Sequence, residues 1–182
     1  MPELHLTTAL EGTPPVVLGD LTVRVVPQNE LFELRGSSAM LAARYPGLLP
    51  IQPNRSNAHD GWRALWLRPN GWLLSRSARV GGGAWSDVLH AQLAGLCRIT
   101  DLSHSRVCIA LEGSGARVLL GKGTPLDLRP GRFAPRQCAR TLCAGFPVLL
   151  DHTESGIDVY VDVPLAAAFW EWLNDAALEW RQ

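Results

Sequence analysis

The segment Asp101-Leu102-Ser103-His104-Ser105-Arg106 places a carboxylate, hydroxyls and an imidazole within one short stretch, the side-chain types of a nucleophilic triad. A triad needs them in a hydrogen-bonded line with the base between nucleophile and carboxylate. On an extended chain Asp101 and Ser103 point one way and His104 the other. The segment therefore reads as a turn in which Asp101, Ser103 and Ser105 make local hydrogen bonds, leaving His104 and Arg106 as candidates for a protein interface rather than for catalysis. Gly115 to Lys122 superficially follows a phosphate loop. That motif, ended at Lys122, would require glycine where Ala116 stands and a hydroxyl where Gly123 stands. Gly121-Lys122-Gly123 reads instead as a helix C-terminus with a cation favourable to the dipole.

Metal chemistry finds no better footing. Cys138 and Cys143 are five apart on an expected strand, which turns them to opposite faces, and His59, His90 and His152 fall at no ligand spacing. The residues thus supply no catalytic, cofactor-binding or metal set of their own. Seven tryptophans in 182 residues are many. Trp62 and Trp66 share parity, and Trp72 is expected to join them across a hairpin; such a face could pack a helix, stack a flat ring or anchor a partner. Trp66 and Trp72 are accordingly interface candidates. Trp170 is a third, because it stands off the helical stripe Leu165, Phe169, Trp172, Leu173, Ala176 and Trp180.

The elements that must position these groups show a repeat. Leu34-Arg35-Gly36-Ser37-Ser38-Ala39 reappears as Leu111-Glu112-Gly113-Ser114-Gly115-Ala116, an offset of 77. The same shift, read without a gap, lays Trp62–Leu74 over Ala139–Asp151 and Val88 over Leu165. The pattern predicts an α+β fold of duplicated ββαββα halves: an irregular arm over 1–19, a first half over 20–96 and a second over 97–182, forming one compact domain. Strands are expected at 21–26, 31–34, 62–67, 72–75, 98–102, 106–111, 137–144 and 148–151, with an extra one at 157–161. Ser37 and Ser114 are expected helix caps, and Asp162 with Pro164 starts the last helix. Gln28 falls in a turn and Gly81-Gly82-Gly83 precede a helix from Trp85. Two halves side by side create a seam where a ligand or partner could sit.

Composition sets outer bounds. The chain can bury about 70% of its unfolded surface, so folding needs neither metal nor disulfide, and the four cysteines are expected to be reduced. Formal charge is zero, with 17 basic and 17 acidic side chains, which removes the footprint of a nucleic-acid binder. No basic stretch followed by an apolar run opens the sequence, and no run approaches a membrane span. A cytoplasmic location in bacteria is the expectation.

Three ordered motifs bring a family into view. Leu65-Trp66-Leu67-Arg68-Pro69-Asn70-Gly71-Trp72-Leu73-Leu74, Asp101–Arg106 and Lys122-Gly123-Thr124-Pro125-Leu126-Asp127-Leu128 together resemble the gamma subunit of heterotetrameric sarcosine oxidase across roughly residues 20–175. The resemblance implies a fold like the folate-binding aminomethyltransferase domain of the glycine cleavage T-protein, and a subunit without a redox cofactor. It further implies alpha, beta and delta partners that hold FAD, FMN, NAD, zinc and tetrahydrofolate. Such complexes demethylate sarcosine to glycine, giving formaldehyde or 5,10-methylenetetrahydrofolate and hydrogen peroxide. Alternatives are a related complex oxidising another N-methyl or cyclic amino acid, a stand-alone folate-dependent aminomethyltransferase, or an adaptor without an enzyme partner. A stand-alone enzyme would need a buried carboxylate for the pterin, and Asp101 or Asp127 would be the nearest.

Overall fold

The computed structural model describes residues 10, 12–27, 29–77 and 85–181. Most of the arm expected at 1–19, the turn residue Gln28 and the triglycine at 81–83 lie outside the described residues. In chain order come β1 (Val16–Leu18), β2 (Leu21–Val25), β3 (Asn29–Gly36), α1 (Ser38–Arg44), β4 (Ser56–His59), β5 (Trp62–Arg68), β6 (Gly71–Ser77) and α2 (Trp85–Leu93). They are followed by β7 (Cys97–Asp101), β8 (Arg106–Glu112), α3 (Gly115–Gly121), β9 (Cys138–Cys143), β10 (Phe146–His152), β11 (Gly156–Asp162), α4 (Val163–Ala176) and a 3-10 turn, Leu178–Arg181.

Alternating apolar residues make the strands, and left-handed turn residues close their hairpins. Asn70 (φ 58°) turns β5 into β6, and Ala144 (φ 52°) with Gly145 (φ 84°) turns β9 into β10, the two consecutive positive φ values that suit a two-residue hairpin. Ser37 and Ser114 stand at the helix N-caps, but neither hydroxyl makes the capping bond. At α1 the Asn70 side-chain carbonyl accepts from the Ser38 N–H instead, at 3.1 Å.

Two antiparallel sheets result, a six-stranded one ordered β1-β2-β8-β11-β10-β9 and a five-stranded one ordered β4-β5-β6-β3-β7. Their strand orders match when β2, β8, β11, β10 and β9 are laid on β7, β3, β6, β5 and β4. Each half thus lends its first strand to the other half's sheet: β2 pairs with β8, and β7 with β3. The α+β class and the repeated order of strands and helices are borne out, with three strands rather than two after the first helix of each half.

The ungapped offset needs correction. A shift of 77 holds from β3 through α1, which map onto β8 and α3. The connection after α3 is longer than that after α1, so β5 corresponds to β10 and not to β9, and β11 is the counterpart of β6 and not an extra strand. The shorter passage from β11 to α4 restores the offset at the last helix. β4, unforeseen because Ser56-Asn57-Ala58-His59 has no apolar alternation, is the counterpart of β9.

Three apolar clusters separate the layers. One lies between the six-stranded sheet and α3 and α4, around Ile109, Leu119, Val159 and Phe169. A second joins the five-stranded sheet to α1 and α2 through Phe32, Leu41, Trp72 and Leu93. The third combines Leu31, Leu65, Leu67 and Leu73 of one sheet with Cys108, Cys138, Leu149 and Tyr160 of the other, so the sheets stack face to face.

Candidate functional site: the seam between the sheets

The seam expected to receive a ligand is filled. Period-two alternation turns Leu65 and Leu67 of β5 and Leu149 of β10 into it, and their contacts make it an apolar core. Polar groups inside it are already engaged. Asp151 has no exposed surface; its carboxylate accepts from Arg63 Nε at 2.5 Å, Arg63 Nη2 at 2.8 Å and the Ser56 hydroxyl at 2.6 Å. The Tyr160 and Ser75 hydroxyls are hydrogen-bonded, and burial raises the phenol's pKa. A fork-to-fork arginine–carboxylate bridge of this kind ties one sheet to the other. Its partners are 88 residues apart, a separation no local sequence pattern could signal.

Asp158 stands beside this bridge and is the most perturbed carboxyl of the seam. Burial, and then the Asp151 carboxylate opposite, lift it from an ordinary 3.8 to about 6. Cys138 and Cys143 face opposite sides of β9, as their spacing requires, and burial pushes both thiols up to about 12. Among the described residues no His, Cys, Asp and Glu cluster could hold a metal ion.

Asp101–Arg106 is the turn its residue types imply. Asp101 Oδ1 accepts from the Ser103 N–H at 2.9 Å and its hydroxyl at 2.6 Å, and Ser105 Oγ donates to the Leu102 carbonyl at 2.8 Å. The turn carries the chain from one sheet to the other and is clamped to both: Leu102 N–H donates to Leu31 O at 2.7 Å, and Val163 N–H to Ser105 O at 3.0 Å. His104 is exposed, and Arg106 binds Asp162 at 3.1 Å. Lys122 ends α3 as expected, yet its ammonium serves a different helix: Nζ donates to the Ala176 carbonyl of α4 at 2.6 Å and pairs with Glu179 at 2.9 Å.

The tryptophans divide. Trp72 and Trp62 pack under α1 and α2, with Trp72 Nε1 donating to the Pro50 carbonyl at 2.8 Å. Trp66 does not join them. It is half-buried against the inter-sheet core, beside the irregular register between Trp66 and Arg68. The reading of Trp170 as solvent-facing is overturned, since only 9% of it is exposed. The buried face of α4 runs through Ala166, Phe169, Trp170 and Leu173, about one position round from the expected stripe, because the helix beds deeply enough to bury a wide arc while Leu165, Trp172 and Trp180 pack along its margin. Trp72, 1% exposed, is likewise interior.

A cavity of about 270 Å³ lies on the outer side of the five-stranded sheet, lined by Leu34, Leu49, Trp62, Leu74 and Leu89 with Tyr45 and Gln92 at its margin. His59, Asp60 and Arg76 add to its polar lining, and the Tyr45 hydroxyl donates to Gln92 Oε1 at 2.6 Å. Asp101 and Asp127, the carboxylates nearest to a pterin-binding role, are not buried: Asp101 is exposed, and Asp127 is bound by Arg129, whose hydrogen bonds hold its carboxyl at about 2. The residues of the seam do not fit a pterin, because apolar side chains fill the space and the one fully buried carboxylate among the described residues is bonded to Arg63 and Ser56.

Two stacked antiparallel sheets with exchanged strands and helices outside define a fold shared with an aminomethyltransferase of the glycine cleavage system. The glycine cleavage system aminomethyltransferase T from Bartonella henselae superposes with a TM-score of 0.62 at 19% identity, over 85% of this chain and 45% of that one. A closer likeness is a chain of heterotetrameric sarcosine oxidase from Corynebacterium sp. U-96, solved with pyrrole 2-carboxylate, with a TM-score of 0.80 at 29% identity over 89% of this chain and 86% of that one. Sarcosine oxidase subunit gamma from Corynebacterium sp. (strain U-96) is 31% identical over 98% of this chain and 89% of its own length. The sarcosine oxidase gamma subunit family profile matches residues 57–179. The chain belongs to the sarcosine oxidase gamma subunit family.

Proposed function

We propose that this chain is the gamma subunit of a heterotetrameric sarcosine oxidase-type flavoenzyme and that it contributes structure and interface rather than a catalytic group. The observation that carries the reading is the combination of family membership with a filled seam: the space between the stacked sheets is occupied by Leu65, Leu149, Tyr160 and the Arg63–Asp151 bridge. Alpha, beta and delta subunits would supply FAD, FMN, NAD, zinc and tetrahydrofolate chemistry, releasing glycine, formaldehyde or 5,10-methylenetetrahydrofolate, and hydrogen peroxide. The half-repeats 20–96 and 97–182 would act as one rigid body, because each holds a strand of the other's sheet. His104, Arg106 and Trp66 are proposed to lie at the subunit interface. No helix among the described residues is long and apolar enough to cross a membrane.

The test is reconstitution. The chain purified alone should be colourless and release no peroxide from sarcosine, whereas the complex purified from the native host should contain it together with flavin-bearing subunits and turn sarcosine over. Flavin absorbance in the isolated chain, or a native chain found without such partners, overturns the reading. If proline or another cyclic or N-methyl amino acid is oxidised in place of sarcosine, the assembly stands and the substrate changes.

A further inference from the structure

One end of the seam concentrates arginine in a chain whose formal net charge is zero. On the five-stranded sheet Arg98 stands directly opposite Arg35. Arg35 binds Glu33 at 2.7 Å, and Arg68 binds the same carboxylate oxygen. On the facing sheet Arg106 has Asp162 as its counterion at 3.1 Å. Arg140 makes no side-chain hydrogen bond or salt bridge among the described residues and feels the Asp162 carboxylate only at longer range; desolvation, with Arg106 and Arg68 nearby, lowers its guanidinium pKa. Five guanidinium groups therefore share two carboxylates. A pocket of about 270 Å³ on the six-stranded sheet is lined by two of them, Arg106 and Arg140, with Thr141, Tyr160 and Asp162.

Like charges directly opposite on neighbouring strands destabilise a sheet, and the exposed guanidinium groups of Arg35, Arg98 and Arg140 leave a positive patch on a chain of zero net charge. Such an arrangement is stable in an assembly where carboxylates complete it. We propose that this arginine-bordered end of the seam is the docking face for a carboxylate-bearing segment of another subunit, one acidic side chain entering the pocket between Arg106 and Arg140. The inference deepens the subunit reading and rests on it. Acidic polypeptide is favoured over nucleic acid because two of the guanidinium groups flank a pocket of side-chain size, and the guanidinium fork matches a carboxylate with two parallel bonds.

The experiment compares wild type, R98E/R140E and the milder R98Q/R140Q, each co-expressed with the flavin-containing subunits of its own complex. Retention of the chain on the complex is followed by size-exclusion chromatography and mass spectrometry at low and high salt. Wild-type retention should weaken as salt rises; R98E/R140E should be held at least ~10-fold more weakly at low salt, with most of the salt dependence gone. Both variants should melt, as free chains, no lower than wild type, since they lose like-charge repulsion. If R98E/R140E does not fold, the glutamine pair carries the test, with an intermediate loss expected. Equal retention of wild type and a folded variant at every salt concentration overturns the docking proposal while leaving the subunit reading intact. A wild-type chain that the flavin-containing subunits do not hold overturns the subunit reading and this proposal together. Binding of a short RNA duplex that the variants abolish, with retention unchanged, overturns it in favour of nucleic acid.

Discussion

Asp151 and Asp158 stand directly opposite each other on β10 and β11, both turned into the seam, yet among the described residues only Asp151 has a guanidinium bonded to it. Asp151 is thereby tied to Arg63, whereas burial, and then the Asp151 carboxylate, lift the Asp158 carboxyl to about 6.

That asymmetry makes stability depend on pH. The folded chain binds the Asp158 proton more tightly than the unfolded chain, with a pKa of about 6 against 3.8, so this group favours folding most below about pH 4. Its contribution declines as pH rises to about 6, and the folded state then carries a penalty of at most about 3 kcal/mol. Asp158→Asn should accordingly melt several degrees above wild type near pH 7.5, and the two curves should converge toward about pH 4. A constant difference across that range would show that the proton is not held there.

The bridge itself should respond in the opposite sense. Asp151→Ala leaves Arg63 without its partner inside the seam, a loss of about 3 kcal/mol. R63M/D151L, apolar on both sides, should regain most of it, as judged by urea unfolding. If the double variant is no more stable than Asp151→Ala, the bridge is not the principal tie between the sheets.

Gly113 and Gly36 give a prediction about the exchanged strands. A Cβ on Gly113, whose φ is +90°, would fall 1.4 Å from the Asp20 carbonyl oxygen at the entry to β2, and one on Gly36 would fall 2.5 Å from Cys97 Cβ at the entry to β7. Each glycine admits the strand contributed by the other half. Gly113→Ala should block soluble expression or lower the melting temperature by more than about 10 °C, whereas Gly121→Ala, which meets nothing within 4 Å, should be neutral or slightly stabilising.

Trp170→Ala should cost about 3–5 kcal/mol, because it empties a core site under α4. Its effect on assembly should then follow from the lost fold: the folded fraction of the variant, measured by circular dichroism, should track the fraction retained by the complex. Normal melting with lost retention would return Trp170 to the interface.

Much of this was legible before the structure. Gly36 and Gly113 announced the repeat because both must be small where strand turns to helix. The turn at Asp101–Arg106 followed from its hydroxyls and carboxylate, and the opposed faces of Cys138 and Cys143 from strand geometry. What stayed hidden was non-local. Two length changes, one after α3 and one before α4, cancel, so the offset looked continuous where β5 was mismatched to β9. Arg63 and Asp151 meet across 88 residues, and Ser56-Asn57-Ala58-His59 becomes a strand through pairing with β5, against its own weak preference. Trp170 was misplaced because a helix pressed into a broad sheet buries more than one stripe.

The exchange of first strands has a consequence for synthesis. β2 leaves the ribosome early, but its hydrogen-bonding neighbour β8 begins at Arg106, so for close to half of translation the nascent chain displays an unmatched apolar edge. The five-stranded sheet is likewise incomplete until β7 emerges from the second half. Neither half is a folding unit, native closure waits on distant segments, and the interval before it is when the young chain is most exposed to aggregation and most in need of chaperone cover.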